Sequence, residues 1–112
     1  MTKEEMRRCI DECLKCMEAC NHCYDACLQE KDVAMMKDCI RLDRLCADTC
    51  EFAARSMTQN SPYAAKVCAL CAEICEDCAA ECGKHDMDHC RRCAEACRRC
   101  AEICREMASQ AA

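Results

Sequence analysis

Residues 9–27 read Cys9-Ile-Asp-Glu-Cys13-Leu-Lys-Cys16-Met-Glu-Ala-Cys20-Asn-His-Cys23-Tyr-Asp-Ala-Cys27. Their cysteines stand four, three, four, three and four residues apart. That alternation holds side chains on one stripe of an α-helix, where leucine, isoleucine or valine normally faces a partner helix. Here the stripe is sulfur. The rhythm returns at Cys68, Cys71, Cys75, Cys78 and Cys82, and again at Cys90, Cys93, Cys97, Cys100 and Cys104. A sparser set, Cys39, Cys46 and Cys50, lies between, making nineteen cysteines in 112 residues.

The punctuation around these runs predicts four helices, at about 3–28, 32–57, 62–82 and 87–107. Thr2 with Glu5 forms a capping-box signature, and Asp32 is placed to cap the second helix. Ser61 before Pro62 restarts a helix, and Gly83 stands where a left-handed C-terminal residue belongs. Such helices with short connections predict an all-α fold, an antiparallel up-down-up-down four-helix bundle with a cysteine-lined core. The whole chain, 1–112, is expected to be a single domain. The run from Cys9 to Cys27 covers roughly 27 Å at about 1.5 Å per residue, so sulfur extends along most of the bundle.

Composition excludes several functions. The formal net charge is −5 and the only aromatics are Tyr24, Phe52 and Tyr63, so no basic, stacking face for nucleic acid can be assembled. The pairs Arg91/Arg92 and Arg98/Arg99 read as a solvated helix face, with Glu95 in reach of Arg98 and Arg99. No segment approaches the ~20 apolar residues of a membrane span. The N-terminal stretch lacks the apolar core of an export signal, so a cytoplasmic location is expected.

The cysteines admit several uses. A buried thiol can serve as a small hydrophobe, but nineteen on shared stripes exceed that role. A disulfide framework conflicts with the odd count and a reducing compartment. Dithiol redox motifs work singly at a helix N-terminus, whereas the six C-x-x-C pairs here fall inside helices. Iron–sulfur ligation needs far fewer cysteines, usually on loops. Soft-metal binding remains. Cysteines three and four apart on a helix bring their Cβ atoms about 5–6 Å from each other, close enough for one ion to bridge. Zinc wants closed four-ligand sites, whereas Cu(I) accepts two or three soft sulfurs and shares thiolates between neighbouring ions. Multiple Cu(I) ions are therefore expected, with the nineteen cysteines as ligands. The alternative is a metallothionein-like protein sequestering Zn or Cd. A metal-responsive regulator fits less well, since no DNA-reading motif is present. Catalytic residues, and hence an enzyme, are not expected.

Three segments also carry a resemblance. Cys9-Ile-Asp-Glu-Cys-Leu-Lys-Cys-Met-Glu-Ala-Cys-Asn-His-Cys23, Cys39-Ile-Arg-Leu-Asp-Arg-Leu-Cys-Ala-Asp-Thr-Cys50 and Glu81-Cys-Gly-Lys-His-Asp-Met-Asp-His-Cys90 resemble the cytosolic bacterial copper-storage proteins. The likeness covers about residues 6 to 107. It implies copper homeostasis by storage of many Cu(I) ions on core cysteines, often in a homotetramer. Relatives tend to carry more histidine in the loop where this chain has Met87.

Beyond the cysteines, an up-down-up-down order gathers Cys27, Met35, Met36, Cys82, His85, Met87, His89 and Cys90 at one end. Met6, Cys9, Met57, Tyr63, Cys104 and Met107 gather at the other. Exchangeable imidazole and thioether groups make His85, Met87 and His89 the candidates for admitting metal. His22 lies off the stripe and reads as a surface or interface residue. Asp43 is expected to pair with Arg41 or Arg44 in a structural role.

Overall fold

A computed structural model describes residues 2–110. It contains α1 (Lys3–Leu28), a short 3-10 turn (Val33–Met36), α2 (Lys37–Thr58), α3 (Ala64–Cys82) and α4 (Asp88–Gln110). No other helix and no strand occurs among the described residues. The four helices form a bundle of 45 × 19 × 19 Å, each packed on its two sequence neighbours, with α4 closing on α1. The diagonal helices do not meet at the backbone among the described residues. The axis between them is left for side chains.

Local chemistry explains most boundaries. The α1 capping box forms as expected: the Glu5 N–H donates to Thr2 Oγ1 at 3.0 Å, and the Thr2 N–H donates to Glu5 Oε1 at 2.9 Å. Such a cap contributes about 1 kcal/mol. Outward faces carry i,i+4 pairs such as Arg7–Asp11 and Arg99–Glu95, each worth about 0.3–0.5 kcal/mol.

Three expected ends are corrected. Asp32 caps the 3-10 turn, accepting from the Met35 N–H at 3.2 Å, and α2 begins only at Lys37. Pro62 does not open α3. Ser61 Oγ instead accepts from the Tyr63 N–H, and the helix starts at Ala64. Gly83 is not left-handed but keeps right-handed helical angles, φ −65°. A Cβ there would sit 3.0 Å from the Ala79 carbonyl oxygen, so closeness to the preceding turn is what a side chain would disturb. The left-handed residue is Asn60, φ 53°, after α2. Its N–H donates to Met57 O and that of Ser61 to Ser56 O, the paired bonds that close a helix on a left-handed residue.

All nineteen cysteines are buried. Alanines fill the seams beside them, with Ala47, Ala53, Ala72, Ala79, Ala94 and Ala101 also buried. Small side chains draw the helices together, so sulfurs from diagonal helices touch although their backbones do not. Methionines close the stripes: Met57 and Met107 lie buried at one end and Met36 at the other.

Candidate metal centre

At mid-bundle one sulfur arrives from each helix, Cys16 from α1, Cys46 from α2, Cys75 from α3 and Cys97 from α4. Cys46 Sγ lies 3.5 Å from Cys75 and 3.8 Å from Cys97, and Cys16 Sγ lies 3.7 Å from Cys97 and 4.0 Å from Cys75. This layer continues both ways. Toward the Met57 end run Cys50–Cys71 at 3.7 Å, Cys13–Cys100 at 3.8 Å and Cys13–Cys104 at 3.6 Å. In the other direction run Cys20–Cys93 at 3.7 Å, Cys39–Cys82 at 3.2 Å and Cys27–Cys39 at 3.8 Å. The sulfurs form one column rather than separate sites.

Sets of four whose Sγ atoms all lie within 4.8 Å of one another recur along it. They overlap: Cys16 and Cys46 belong both to the set with Cys50 and Cys75 and to the set with Cys20 and Cys97. A ligand shared in this way can bridge ions but cannot complete two separate closed sites.

One carboxyl interrupts the sulfur. Asp43 is fully buried and meets thiols, correcting the expected pairing with Arg41 or Arg44; Arg44 instead bonds Asp48 at 2.7 Å. Asp43 Oδ1 accepts S–H bonds from Cys93 at 3.2 Å, Cys78 at 3.4 Å and Cys82 at 3.5 Å, while Oδ2 accepts from Cys39 at 3.8 Å. Loss of water, reinforced by Cys93 and Cys39, pushes its pKa up to about 9, so it stands as a neutral acid at pH 7. The sequence did carry a signal for this. Cys39, Asp43, Cys46 and Cys50 keep the four-three-four spacing, so Asp43 occupies the stripe position where a cysteine is missing.

The end near α4's start is built differently. His89 turns its ring inward, with Nδ1 3.4 Å from Cys23 Sγ, 3.5 Å from Cys90 Sγ and 3.9 Å from Cys27 Sγ. His85, on the connection before α4, does not hydrogen-bond a sulfur; its Nε2 meets Glu81 Oε2 at 3.1 Å. Met87 is half-buried against the core. Of the three residues expected to act together, His89 hydrogen-bonds the thiols, Met87 packs on the core and His85 turns to Glu81. His22 is exposed, as its place off the stripe predicts. Burial raises the Cys90 thiol to about 11 and pushes Cys27 further up, because thiolate charge is poorly solvated there.

Residues 2–109 match the sequence family described as "copper storage protein". The chain belongs to that family. Copper storage structures superpose closely on it. "Cu(I)-bound Copper Storage Protein BsCsp3" matches at 54% identity and TM-score 0.90, over 93% of this chain and 98% of that one. A cytosolic copper storage protein from Streptomyces lividans, solved with five coppers, matches at 43% identity and TM-score 0.89, over 95% and 93%. The "uncharacterized cysteine-rich protein YhjQ" of Bacillus subtilis is 55% identical over 36 residues, 32% of this chain and 33% of that one. That local match therefore spans a third of the curated relative. In this copper storage chain no helix among the described residues is long and apolar enough to cross a membrane.

Proposed function

We propose that the chain stores many Cu(I) ions on its nineteen core cysteines, in the cytosol, as a homotetramer and without catalytic turnover. The observation that carries the reading is the overlap of the four-sulfur sets. Nineteen sulfurs taken four at a time give at most four closed sites with three cysteines left over, whereas ions that share bridging thiolates can use every sulfur. Charge favours the same answer. One monovalent ion per thiolate leaves the buried column near neutrality, while closed divalent four-thiolate sites accumulate negative charge in an apolar interior.

The residues 1–112 act as one unit in this reading, and metal enters at the His89 end. His89 and Met87 hold an arriving ion weakly enough to pass it to Cys23, Cys27 and Cys90, and His85 attracts it from the rim. Leu45, Phe52 and Leu70 are exposed apolar side chains on the outer faces, which supports assembly with further copies.

The reading is tested by titrating reduced, metal-free protein with Cu(I) against a chromophoric chelator. More than four equivalents per chain held tightly is the expected outcome, and four or fewer would return the protein to closed divalent sites. Thiols such as Cys90 must lose protons to bind, so uptake should release protons and weaken as pH falls. Sedimentation of wild type and Phe52→Glu checks the assembly.

A further inference from the structure

We propose that the three thiols and one imidazole at the mouth end of the column, Cys23, Cys27, Cys90 and His89, hold one Zn(II) ion. Tetrahedral zinc, with Zn–S about 2.3 Å and Zn–N about 2.0 Å, needs S···S edges of about 3.8 Å and S···N edges of about 3.5 Å. The mouth offers S···S separations of 3.7 Å for Cys23–Cys27 and 3.9 Å for Cys23–Cys90. From His89 Nδ1 it offers 3.4, 3.5 and 3.9 Å to the three sulfurs. Cys27 and Cys90 Sγ lie within 4.8 Å of each other, the one edge with slack. The donor set is already close to the shape the ion requires.

Two further features point the same way. His89 Nε2 is buried with no hydrogen-bond partner, and the nearest carboxylate oxygen, Glu30 Oε2, stands 4.0 Å away. A ring that binds metal through Nδ1 must carry its proton on Nε2, and a carboxylate on that side is the usual outer partner of a zinc-bound histidine. A short shift of Glu30 would complete that arrangement. The ring also lines a groove of about 450 Å³ between α1 and α4, beside Lys15, His22 and Arg92, which gives a hydrated ion a path from solvent.

The central four-sulfur sets, and the set that puts Cys39 in place of His89 beside Cys23, Cys27 and Cys90, have similar edges, but charge separates them from the three-thiol, one-imidazole site. Zinc on four thiolates deep in the bundle leaves two negative charges without a counter-ion, whereas three thiolates and a neutral imidazole leave one, at the rim. Zinc at the mouth caps the column when copper is scarce. Cu(I), the softer ion, takes the same thiolates when it arrives, so copper loading releases the zinc. The site does not depend on the storage reading, because its zinc affinity is read without copper.

The test uses the full-length, reduced, metal-free protein, titrated with Zn(II) against a chelator and with Co(II) as a coloured substitute. One tight zinc per chain is expected, together with the strong visible bands of tetrahedral, thiolate-bound Co(II). Glu30→Gln should weaken Zn(II) binding about 10–100-fold while leaving the number of Cu(I) ions bound unchanged. Cys16→Ala, at mid-bundle, should leave zinc affinity as it is, and Cu(I) added to the zinc form should release one zinc per chain. Failure to hold zinc against the chelator, wild-type zinc affinity in His89→Ala, or several equal zinc sites lost in Cys16→Ala would each overturn the proposal. A Cu(I) titration of the same samples keeps the readings apart. Copper uptake without zinc removes only the mouth site, and zinc without copper removes only storage.

Discussion

The two ends of one sulfur column both carry a buried methionine, but only one carries an imidazole against its thiols. At the Cys9 and Cys104 end the last thiols meet buried Met57 and Met107, with half-buried Met6 packed against them. At the Cys27 and Cys90 end they meet the His89 imidazole, with Glu30 beyond it, while Glu81 pairs with His85. The first end is closed by thioethers, whereas the second adds an imidazole to its methionine. Under the proposed function, thiols set capacity while the residues around the last thiols set the route of entry.

The largest effect should come from the part the ends share. Replacing Cys16, Cys75 and Cys97 together with alanine removes three of the sulfurs that converge at mid-bundle. Cu(I) capacity should fall by at least three equivalents per chain, read by chelator competition, with little change in the initial uptake rate. Unchanged capacity would mean that the column is not the store.

Next is the apolar end. Met57→Ala should lower the stability of the metal-free bundle by about 2–5 kcal/mol, measured by chemical denaturation, because it opens a void where no metal is needed. Faster copper uptake in that variant would break the comparison by showing that the methionines had been a gate.

Asp43 gives a third handle, through pH. Its folded pKa is raised to about 9, above the ~3.9 of an unfolded carboxyl. The folded state therefore holds this proton more tightly. Its stabilising share is complete below about pH 4 and is lost as pH rises toward 9. Asp43→Asn should flatten that fall in metal-free stability. A variant with the wild-type slope would show that Asp43 is ionised inside the bundle.

The smallest effect belongs to the mouth. Replacing His85, Met87 and His89 together with alanine should slow Cu(I) uptake and release, followed by stopped flow, and leave capacity nearly intact. Equal rates in variant and wild type would move the door to the Met6, Met57 and Met107 end.

Much of this was legible in the chain. The four-three alternation is local, so it fixed the helices and put all nineteen cysteines on inward stripes before any packing was known. Capping at Thr2 and Glu5 was equally readable, since both partners lie within one turn. The ends around Asp32, Ser61 and Gly83 were less so, because a turn's type depends on how the next helix docks as well as on its residues. Asp43 shows a different limit. Its spacing matched the stripe, but a carboxylate flanked by Arg41 and Arg44 reads as their ion-pair partner until its surroundings are seen.

What the sequence determined by itself, then, is the period: helix, stripe and the identity of the core atoms follow from bonds within single helices. Only the tertiary structure decided which sulfurs are neighbours, because Cys39 meets Cys82 and Cys46 meets Cys97 across helices far apart in the chain. It also decided that His89, in the first turn of α4, faces the thiols while His85, four residues earlier, turns to Glu81. The reason is physical. A side chain's helix fixes which face it leaves from, but whether sulfur, carboxylate or water waits there depends on three other helices, and that in turn fixes its proton and its ligand.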